Sequence, residues 1–277
     1  MTSRSDWPRG ESFHIQTANG PLNCRVDGRA GAPSILFSNS HATDMSLWTH
    51  QVAAFSEALN VIRYDQRGHG ATPVPDGRVT FDSLADDVVT ILDALHIETA
   101  TLVGVSMGAV TVLRCAASHP RRITRVLASD GQWAVPAGAH QLWAERIGLA
   151  LEDGMQALIE PTVQRWFTAA SLTSDADSVQ HARRMIGATP KEGYAACARA
   201  MQDYDFRSDF AQLSVPVQYV VGEHDGKLPE VMREMSDATP YGCFTAIANA
   251  GHLPCLERPD EFNAMLGTFI ATKVKDF

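Results

Sequence analysis

A serine at position 106 has the sequence context of a catalytic nucleophile. Residues 104–108 read Gly-Val-Ser-Met-Gly and lie between an apolar, strand-like run at 101–103 and a helix-like run at 109–113. This pattern is typical of a nucleophile elbow, a tight turn that exposes the serine hydroxyl and points the following amide toward the same space. Glycine is needed on both sides because a side chain there would collide with the crossing strand and helix. We therefore predict that Ser106 is a nucleophile.

A nucleophilic serine needs a base and a residue that orients the base, and after such an elbow they follow in the order acid, then histidine. Residues 217–221 are typical of a buried strand and lead to Asp225, and the strand-like run 243–247 leads to His252. Both side chains are thus predicted at strand ends, as Ser106 is. We predict His252 as the base and Asp225 as the acid.

A second aspartate, Asp130, competes for the acid role because it also ends a strand-like run, at 125–129. Asp225 is preferred since it closes a Gly-x-x-Asp turn. Asp130 is equally suited to capping its loop through local backbone hydrogen bonds.

Two backbone amides must stabilise the negative charge that forms on an attacked carbonyl oxygen. Met107 supplies one because it follows the nucleophile, and the loop after Phe37 is expected to supply the other through His41. The His41 imidazole either contacts substrate or hydrogen-bonds to the fold. The glycine turn at residues 65–70 is interpreted as scaffold that positions neighbouring loops.

The composition indicates one domain with a substantial core and a small-molecule partner. The chain has 277 residues, of which 45% are hydrophobic, and its net charge of −9 argues against nucleic-acid binding. Its five scattered cysteines predict reduced thiols in a cytoplasmic protein, with no disulfide framework and no zinc site. Residues 1–11 lack the apolar segment of an export signal, and we expect no membrane span.

Most of the chain alternates predicted strands and helices, which indicates a largely parallel sheet covered by helices. Residues 13–18 and 22–27 flank Asn19-Gly20-Pro21 and predict an initial hairpin. Apolar residues at helical spacing predict two amphipathic helices: Trp48, Val52, Phe55 and Leu59 in the first, and Leu84, Val88, Ile91, Leu92 and Leu95 in the second, which begins after Thr80.

The alternation stops between residues 134 and 206, where helical segments are predicted at 141–151, 155–159, 163–169, 178–186 and 194–201. We expect a core domain of residues 1–133 and 207–277 and an inserted helical cap of residues 134–206. The insertion follows a strand's carboxyl end, where ligands bind in open α/β sheets, so the cap is expected to cover the active site.

We expect substrate contacts from residues in or next to the cap and from residues beside the triad. Most of them have large apolar side chains: Ser40, Trp133, Trp143, Trp166, Phe167 and Leu253. The cap also carries five arginines: Arg146, Arg165, Arg183, Arg184 and Arg199. Most are expected to be solvated, but one turned inward would pair with a substrate carboxylate.

Taken together, these motifs resemble the α/β-hydrolase superfamily over nearly the whole chain. The resemblance implies a mostly parallel, eight-stranded sheet flanked by helices. Further motifs resemble the 3-oxoadipate enol-lactonase branch: Ser38-Asn39-Ser40, residues 64–70, Arg165-Trp166-Phe167-Thr168, and Gly193-Tyr194 with Cys197 and Asp205. The chain departs from that branch at His41-Ala42, where Leu-Gly is expected, and at Gly226-Lys227-Leu228 and Pro254-Cys255-Leu256. The resemblance therefore implies hydrolysis of an ester or lactone, as in aromatic catabolism, more strongly than it implies that particular lactone.

The predicted chemistry is acyl transfer: His252 takes the Ser106 proton, Ser106 attacks the carbonyl, and water hydrolyses the acyl-enzyme. No metal or organic cofactor is implied. The expected substrate is a small lactone or short ester with polar or anionic groups.

Two other activities use the same residues, namely cleavage of a carbon–carbon bond in a diketone and cofactor-free perhydrolase or haloperoxidase-like chemistry. A non-catalytic ligand receptor is the alternative of another class, and the intact triad argues against it.

Overall fold

The computed structural model describes residues 8–272. The prediction that the chain begins without an export signal rests on residues 1–11, which lie mostly outside this range. Within it, no helix is long and apolar enough to cross a membrane. The five cysteine side chains are free, and four of them are buried.

Eight strands form a single sheet: β1 (Ser12–Thr17), β2 (Gly20–Gly28), β3 (Ser34–Ser38), β4 (Asn60–Tyr64), β5 (Ala100–Val105), β6 (Ile123–Ser129), β7 (Val217–Gly222) and β8 (Gly242–Ile247). Their order is β1-β2-β4-β3-β5-β6-β7-β8. The pairs β1–β2 and β2–β4 are antiparallel, and all pairs from β4 to β8 are parallel. Both the mostly parallel sheet and the initial hairpin are confirmed. Parallel pairing brings the loops after β3, β5, β6, β7 and β8 to one edge.

The core helices are α1 (Thr49–Phe55), α2 (Phe81–Ala94), α3 (Met107–Ser118), α10 (Leu228–Ala238), α11 (Pro254–Glu257) and α12 (Pro259–Ala271). Between β6 and β7 lie α4 (Ala139–Asp153), α5 (Gln156–Trp166), α6 (Ala169–Thr173), α7 (Asp177–Ala188), α8 (Lys191–Ala200) and α9 (Arg207–Phe210). Thr80 caps α2 as predicted, because its side chain accepts a hydrogen bond from Ser83 N.

Two helices differ from expectation. Helix α1 ends at Phe55 and does not reach Leu59, because the chain turns there to enter β4; the amides of Ala58 and Leu59 both donate to Phe55 O, at 3.1 and 2.9 Å. Helix α5 is continuous through Pro161, where two separate segments were predicted. The proline removes one backbone hydrogen bond but does not break the helix in this packing environment.

Apolar side chains cover both faces of the sheet. Strands β4, β5 and β7 are buried along their whole length, as expected for parallel strands between layers of helices. On one face Leu102 packs with residues of α2 and α3. On the other, Val103 belongs to a cluster that continues into α4, α5 and α7. The helices between β6 and β7 therefore share a hydrophobic core with the sheet.

Candidate active site

Ser106 lies in a strained turn between β5 and α3. Its backbone has φ 58° and ψ −117°, a conformation that costs a non-glycine residue about 1–3 kcal/mol. A Cβ at Gly104 would lie 2.2 Å from Gly108 O, and one at Gly108 would lie 2.1 Å from Ser38 O. The two glycines therefore allow the sharp turn and let the loop after β3 pack on the first turn of α3.

Asp225 and His252 lie on neighbouring loops after β7 and β8, and they form a hydrogen bond of 2.6 Å between Oδ2 and Nδ1. Because an ionised carboxylate only accepts, Nδ1 carries the proton and Nε2 has the lone pair that a base needs. The Trp166 ring stacks on the imidazole at 5.8 Å, and Trp166 O accepts from the backbone amide of His252 at 2.7 Å. Helix α5 thus holds the histidine loop in place.

Ser106, Asp225 and His252 line one cavity of about 410 Å³ at the carboxyl edge of the sheet. Among the hydrogen bonds of residues 8–272, none joins Ser106 Oγ to His252 Nε2. Catalytic hydrogen bonds of this kind often tighten only when substrate binds.

Asp130 lies beside this pair, with its polar atoms within 4.8 Å of those of Asp225 and His252. Its carboxyl group accepts from Ser129 Oγ at 2.6 Å and from Gly222 N at 2.9 Å. Burial and the nearby charge of Asp225 raise the pKa of Asp130 well above its usual range. Burial also acts to raise the pKa of Asp225, but the charge and hydrogen bond of His252 outweigh it and lower that pKa. The ionised partner of His252 is therefore Asp225.

One imidazole and two carboxylates at this spacing are also a possible cation site. However, His252 Nδ1 carries the proton that it donates to Asp225, so this nitrogen has no lone pair for a metal. The hydrogen bond between them is that of a carboxylate that orients a general base.

Two backbone amides near Ser106 are free to bind an oxyanion. The amides of Met107 and His41 donate no hydrogen bond to any part of the described chain. The contact of Gly108 with Ser38 O brings the loop that carries His41 onto the first turn of α3. These two amides are the candidate oxyanion hole.

The glycine turn at residues 65–70 holds the loop that carries His41. Gln66 Nε2 donates to Asn39 O at 2.6 Å, and Ala42 N donates to His69 Nε2 at 3.0 Å. Because His69 Nε2 accepts, its Nδ1 carries the proton and donates to Arg67 O at 2.9 Å. Burial lowers the pKa of His69 to about 4, although the bond to Arg67 O opposes this shift. These contacts are those of a scaffold that positions the neighbouring loop.

Helices α4 and α5 each contribute an arginine, Arg146 and Arg165, to the same cavity. Arg165 lines it, is open to solvent, and makes no hydrogen bond or ion pair with a described residue. Partial desolvation and the charge of Arg146 lower the pKa of Arg165 to about 10, so it remains a cation at neutral pH. Arg146 donates to Thr162 Oγ1 at 2.9 Å, and the buried Tyr194 hydroxyl has no partner.

Of the predicted substrate contacts, Trp143 and Trp166 line the cavity. The other four do not. Ser40 is completely buried and donates to His41 O at 3.3 Å, which turns its hydroxyl into the loop. Leu253 and Phe167 pack in the hydrophobic core, and Trp133 packs against the core on the other face of the sheet.

The sequence did not predict that several other residues would line the cavity. Tyr194, Gln132 and Lys227 line the cavity. Their spacing in the sequence does not distinguish them from ordinary helix or loop residues. Only the motif resemblance at Gly193-Tyr194 pointed to one of them.

The fold and the serine at its elbow define an α/β hydrolase. Residues 33–259 match the family model described as "alpha/beta hydrolase fold", and the chain belongs to this family. It is 32% identical over 242 residues to 3-oxoadipate enol-lactonase 2 of Acinetobacter baylyi, which covers 87% of this chain and 90% of that protein.

Two solved structures are similar over nearly the whole chain. The enol-lactonase from Burkholderia xenovorans LB400 matches with a TM-score of 0.89 at 33% identity, over 94% of this chain and 100% of that one. A hydrolase from Pseudomonas aeruginosa PA01 matches with a TM-score of 0.89 at 29% identity, over 96% and 100%. The chain is therefore an α/β-fold ester or lactone hydrolase that resembles the enol-lactonase branch, as its motifs predicted.

Proposed function

We propose that the chain hydrolyses a small lactone or carboxylic ester that carries a carboxylate group, through a Ser106–His252–Asp225 triad and an acyl-enzyme. The observation that carries this proposal is the unpaired guanidinium of Arg165 in the cavity that Ser106 lines. We also propose that residues 134–206 act as a cap on a core of residues 1–133 and 207–277, since α4, α5 and α8 contribute to the cavity wall.

In the first half of the reaction, His252 Nε2 takes the Ser106 proton while Ser106 Oγ attacks the carbonyl carbon. The amides of Met107 and His41 donate to the oxyanion, and the loss of such a donor costs about 3–4 kcal/mol in barrier height. The tetrahedral intermediate then expels the alcohol oxygen, which receives the proton from His252. For a lactone, this alcohol remains part of the acyl group.

In the second half, water takes the place of Ser106 as nucleophile, and His252 is again the base. The tetrahedral intermediate then breaks its bond to Ser106 Oγ, which receives the proton from His252, and the acid is released. Asp225 stabilises the charged imidazole in both halves and keeps its Nδ1 protonated. No step requires a group outside the chain, apart from substrate and water.

The preference for a carboxylate follows from the donors in the cavity wall. The Arg165 guanidinium lines the cavity and has hydrogens to donate, and it has no acceptor among the described residues. A carboxylate only accepts and carries the opposite charge, and each hydrogen bond to a charged group contributes about 1.5–3 kcal/mol. A long alkyl chain would desolvate the guanidinium without compensation, so long-chain esters are disfavoured.

The test compares two lactones that differ in charge: γ-butyrolactone with a carboxylate on its γ-carbon, and the methyl ester of that acid. The wild-type chain is expected to open the charged lactone ring with a kcat/KM at least about 100-fold higher. Arg165→Met should remove most of this preference. Arg183→Met is the matched control, because Arg183 pairs with Glu160 at 2.8 Å on the exposed face of the cap.

Equal ring opening of both lactones by wild type, or a higher kcat/KM for a long-chain ester, would contradict the proposed substrate class. A diketone serves as a third substrate. If it alone reacted, with cleavage of a carbon–carbon bond, the chain would be a diketone hydrolase.

A further inference from the structure

The His41 side chain, which differs from the leucine expected in the resembling branch, has a defined tautomer. Its Nε2 lies 2.9 Å from Tyr194 O, and a carbonyl oxygen only accepts, so Nε2 carries the proton. Burial lowers the pKa of His41 well below its usual range, and the neighbouring His69, Arg146 and Arg165 add to this effect. The ring is therefore neutral and has a lone pair on Nδ1.

The Nδ1 lone pair is unused and accessible. No described residue donates a hydrogen bond to it. Side-chain polar atoms that are sealed from solvent without a partner include Tyr194 OH and Trp166 Nε1, but not His41 Nδ1. Since His41 lines the cavity that Ser106 lines, its Nδ1 is an acceptor that faces this space. It lies in the same cavity wall as the donor Arg165.

The ring is held on three sides, which fixes the direction of the lone pair. The Tyr194 ring lies 4.1 Å away at an interplanar angle of 32°, and the rings of Trp143 and His69 make edge contacts with the imidazole at 5.6 and 5.3 Å.

The carbonyl that accepts from Nε2 is also fixed in place, because α8 docks on the core through two glycines. A Cβ at Gly193 would lie 2.0 Å from Gly68 O. His41 thus has little freedom to turn, and a preorganised acceptor loses little entropy on binding.

We propose that His41 Nδ1 accepts a hydrogen bond from a hydroxyl or N–H group on the acyl part of the substrate, and so selects substituted acids over unsubstituted ones. The His41 amide is the proposed oxyanion donor, so the ring of the same residue lies close to the attacked carbonyl. The substituent is therefore on the first or second carbon from it. This inference rests on the proposed function, since it assumes an acyl group seated at Ser106 and a carboxylate at Arg165.

Malate and succinate form a matched pair of probes, because they differ only by a hydroxyl that is on the first carbon from one carboxylate and the second from the other. Their dissociation constants are measured by calorimetry on the full chain, with both enantiomers of malate. The wild type should bind the preferred malate enantiomer about 3- to 10-fold more tightly than succinate, the usual range for one added hydrogen bond.

Three variants separate the contributions. His41→Leu fills the space without an acceptor and should bring the malate-to-succinate ratio close to 1. His41→Asn retains an acceptor near the Nδ1 position and should keep a ratio above that of His41→Leu. Arg165→Met should weaken both acids and leave their ratio unchanged, which separates the anion subsite from the role of His41.

Equal binding of malate and succinate by wild type would overturn the role of His41 and leave the proposed function intact. An unchanged ratio in His41→Leu would do the same. Binding of neither acid would overturn this inference together with the carboxylate preference. The wild-type comparison stands even if His41→Leu fails to fold.

Discussion

Acidification should weaken the fold through His69, whose neutral imidazole holds the loop beside the proposed oxyanion hole. The ring is completely buried, accepts from Ala42 N at 3.0 Å, and donates to Arg67 O at 2.9 Å. Burial lowers its pKa from 6.5 to about 4. Protonation removes the lone pair that Ala42 N requires, so the folded state resists it.

The sign and size of this pH effect on the unfolding free energy follow from proton linkage. Between pH 6.5 and 4 the unfolded chain binds a proton at His69 and the folded chain does not, so stability rises with pH in this window. The contribution is fully present above pH 6.5 and is lost as the pH falls through the folded pKa. A shift from 6.5 to about 4 corresponds to about 3 kcal/mol, at about 1.4 kcal/mol per pH unit.

The assay is urea unfolding at several pH values between 4 and 7 for wild type and His69→Gln. Glutamine can still accept from Ala42 N but does not titrate. Between pH 7 and 4, the unfolding free energy of His69→Gln should therefore fall by about 3 kcal/mol less than that of wild type. Exposed His140, replaced by Gln, is the control for loss of a histidine. The same pH dependence in His69→Gln and wild type would refute the reasoning.

Three further predictions concern the triad, the cavity and the cap. Asp225→Asn should lower kcat by about 10⁴-fold, whereas Asp130→Asn should stay within about tenfold of wild type, since an amide resembles a protonated carboxyl group; the reverse order in steady-state kinetics would reassign the acid. Trp166→Ala should change kcat/KM unequally across substrates, because the ring lines the cavity and stacks on His252; an equal small loss for all substrates, with a lower melting temperature, would limit Trp166 to packing. Gly193→Ala should lower the unfolding free energy by about 1–3 kcal/mol, because the new Cβ would lie 2.0 Å from Gly68 O; unchanged urea unfolding would contradict this close contact.

The positions of the three proposed catalytic side chains were predictable because local sequence determines them. Ser106 directly follows β5, and Asp225 and His252 lie in the loops after β7 and β8. Parallel strands bring their carboxyl ends to one edge whatever the details of packing. The elbow glycines at 104 and 108 reflect backbone contacts of that turn, so they are visible as a motif.

The cavity wall was less predictable because tertiary packing decides it. Ser40 and His41 are adjacent polar residues in one loop, yet only His41 lines the cavity. What separates them is the docking of α8, which presents Tyr194 O to His41 Nε2. The ends of helices were also hard to predict from sequence, since α1 ends at Phe55, where the chain must turn into β4.

The central claim, that Ser106 is a nucleophile activated by His252, is tested most directly by covalent labelling with diethyl 4-nitrophenyl phosphate. This phosphate ester reacts with activated serines independently of the natural substrate. Peptide mass spectrometry should place a single diethylphosphoryl group on Ser106, with no adduct in Ser106→Ala and a rate at least about 10³-fold slower in His252→Ala. Labelling at another residue, or an undiminished rate in His252→Ala, would contradict the account.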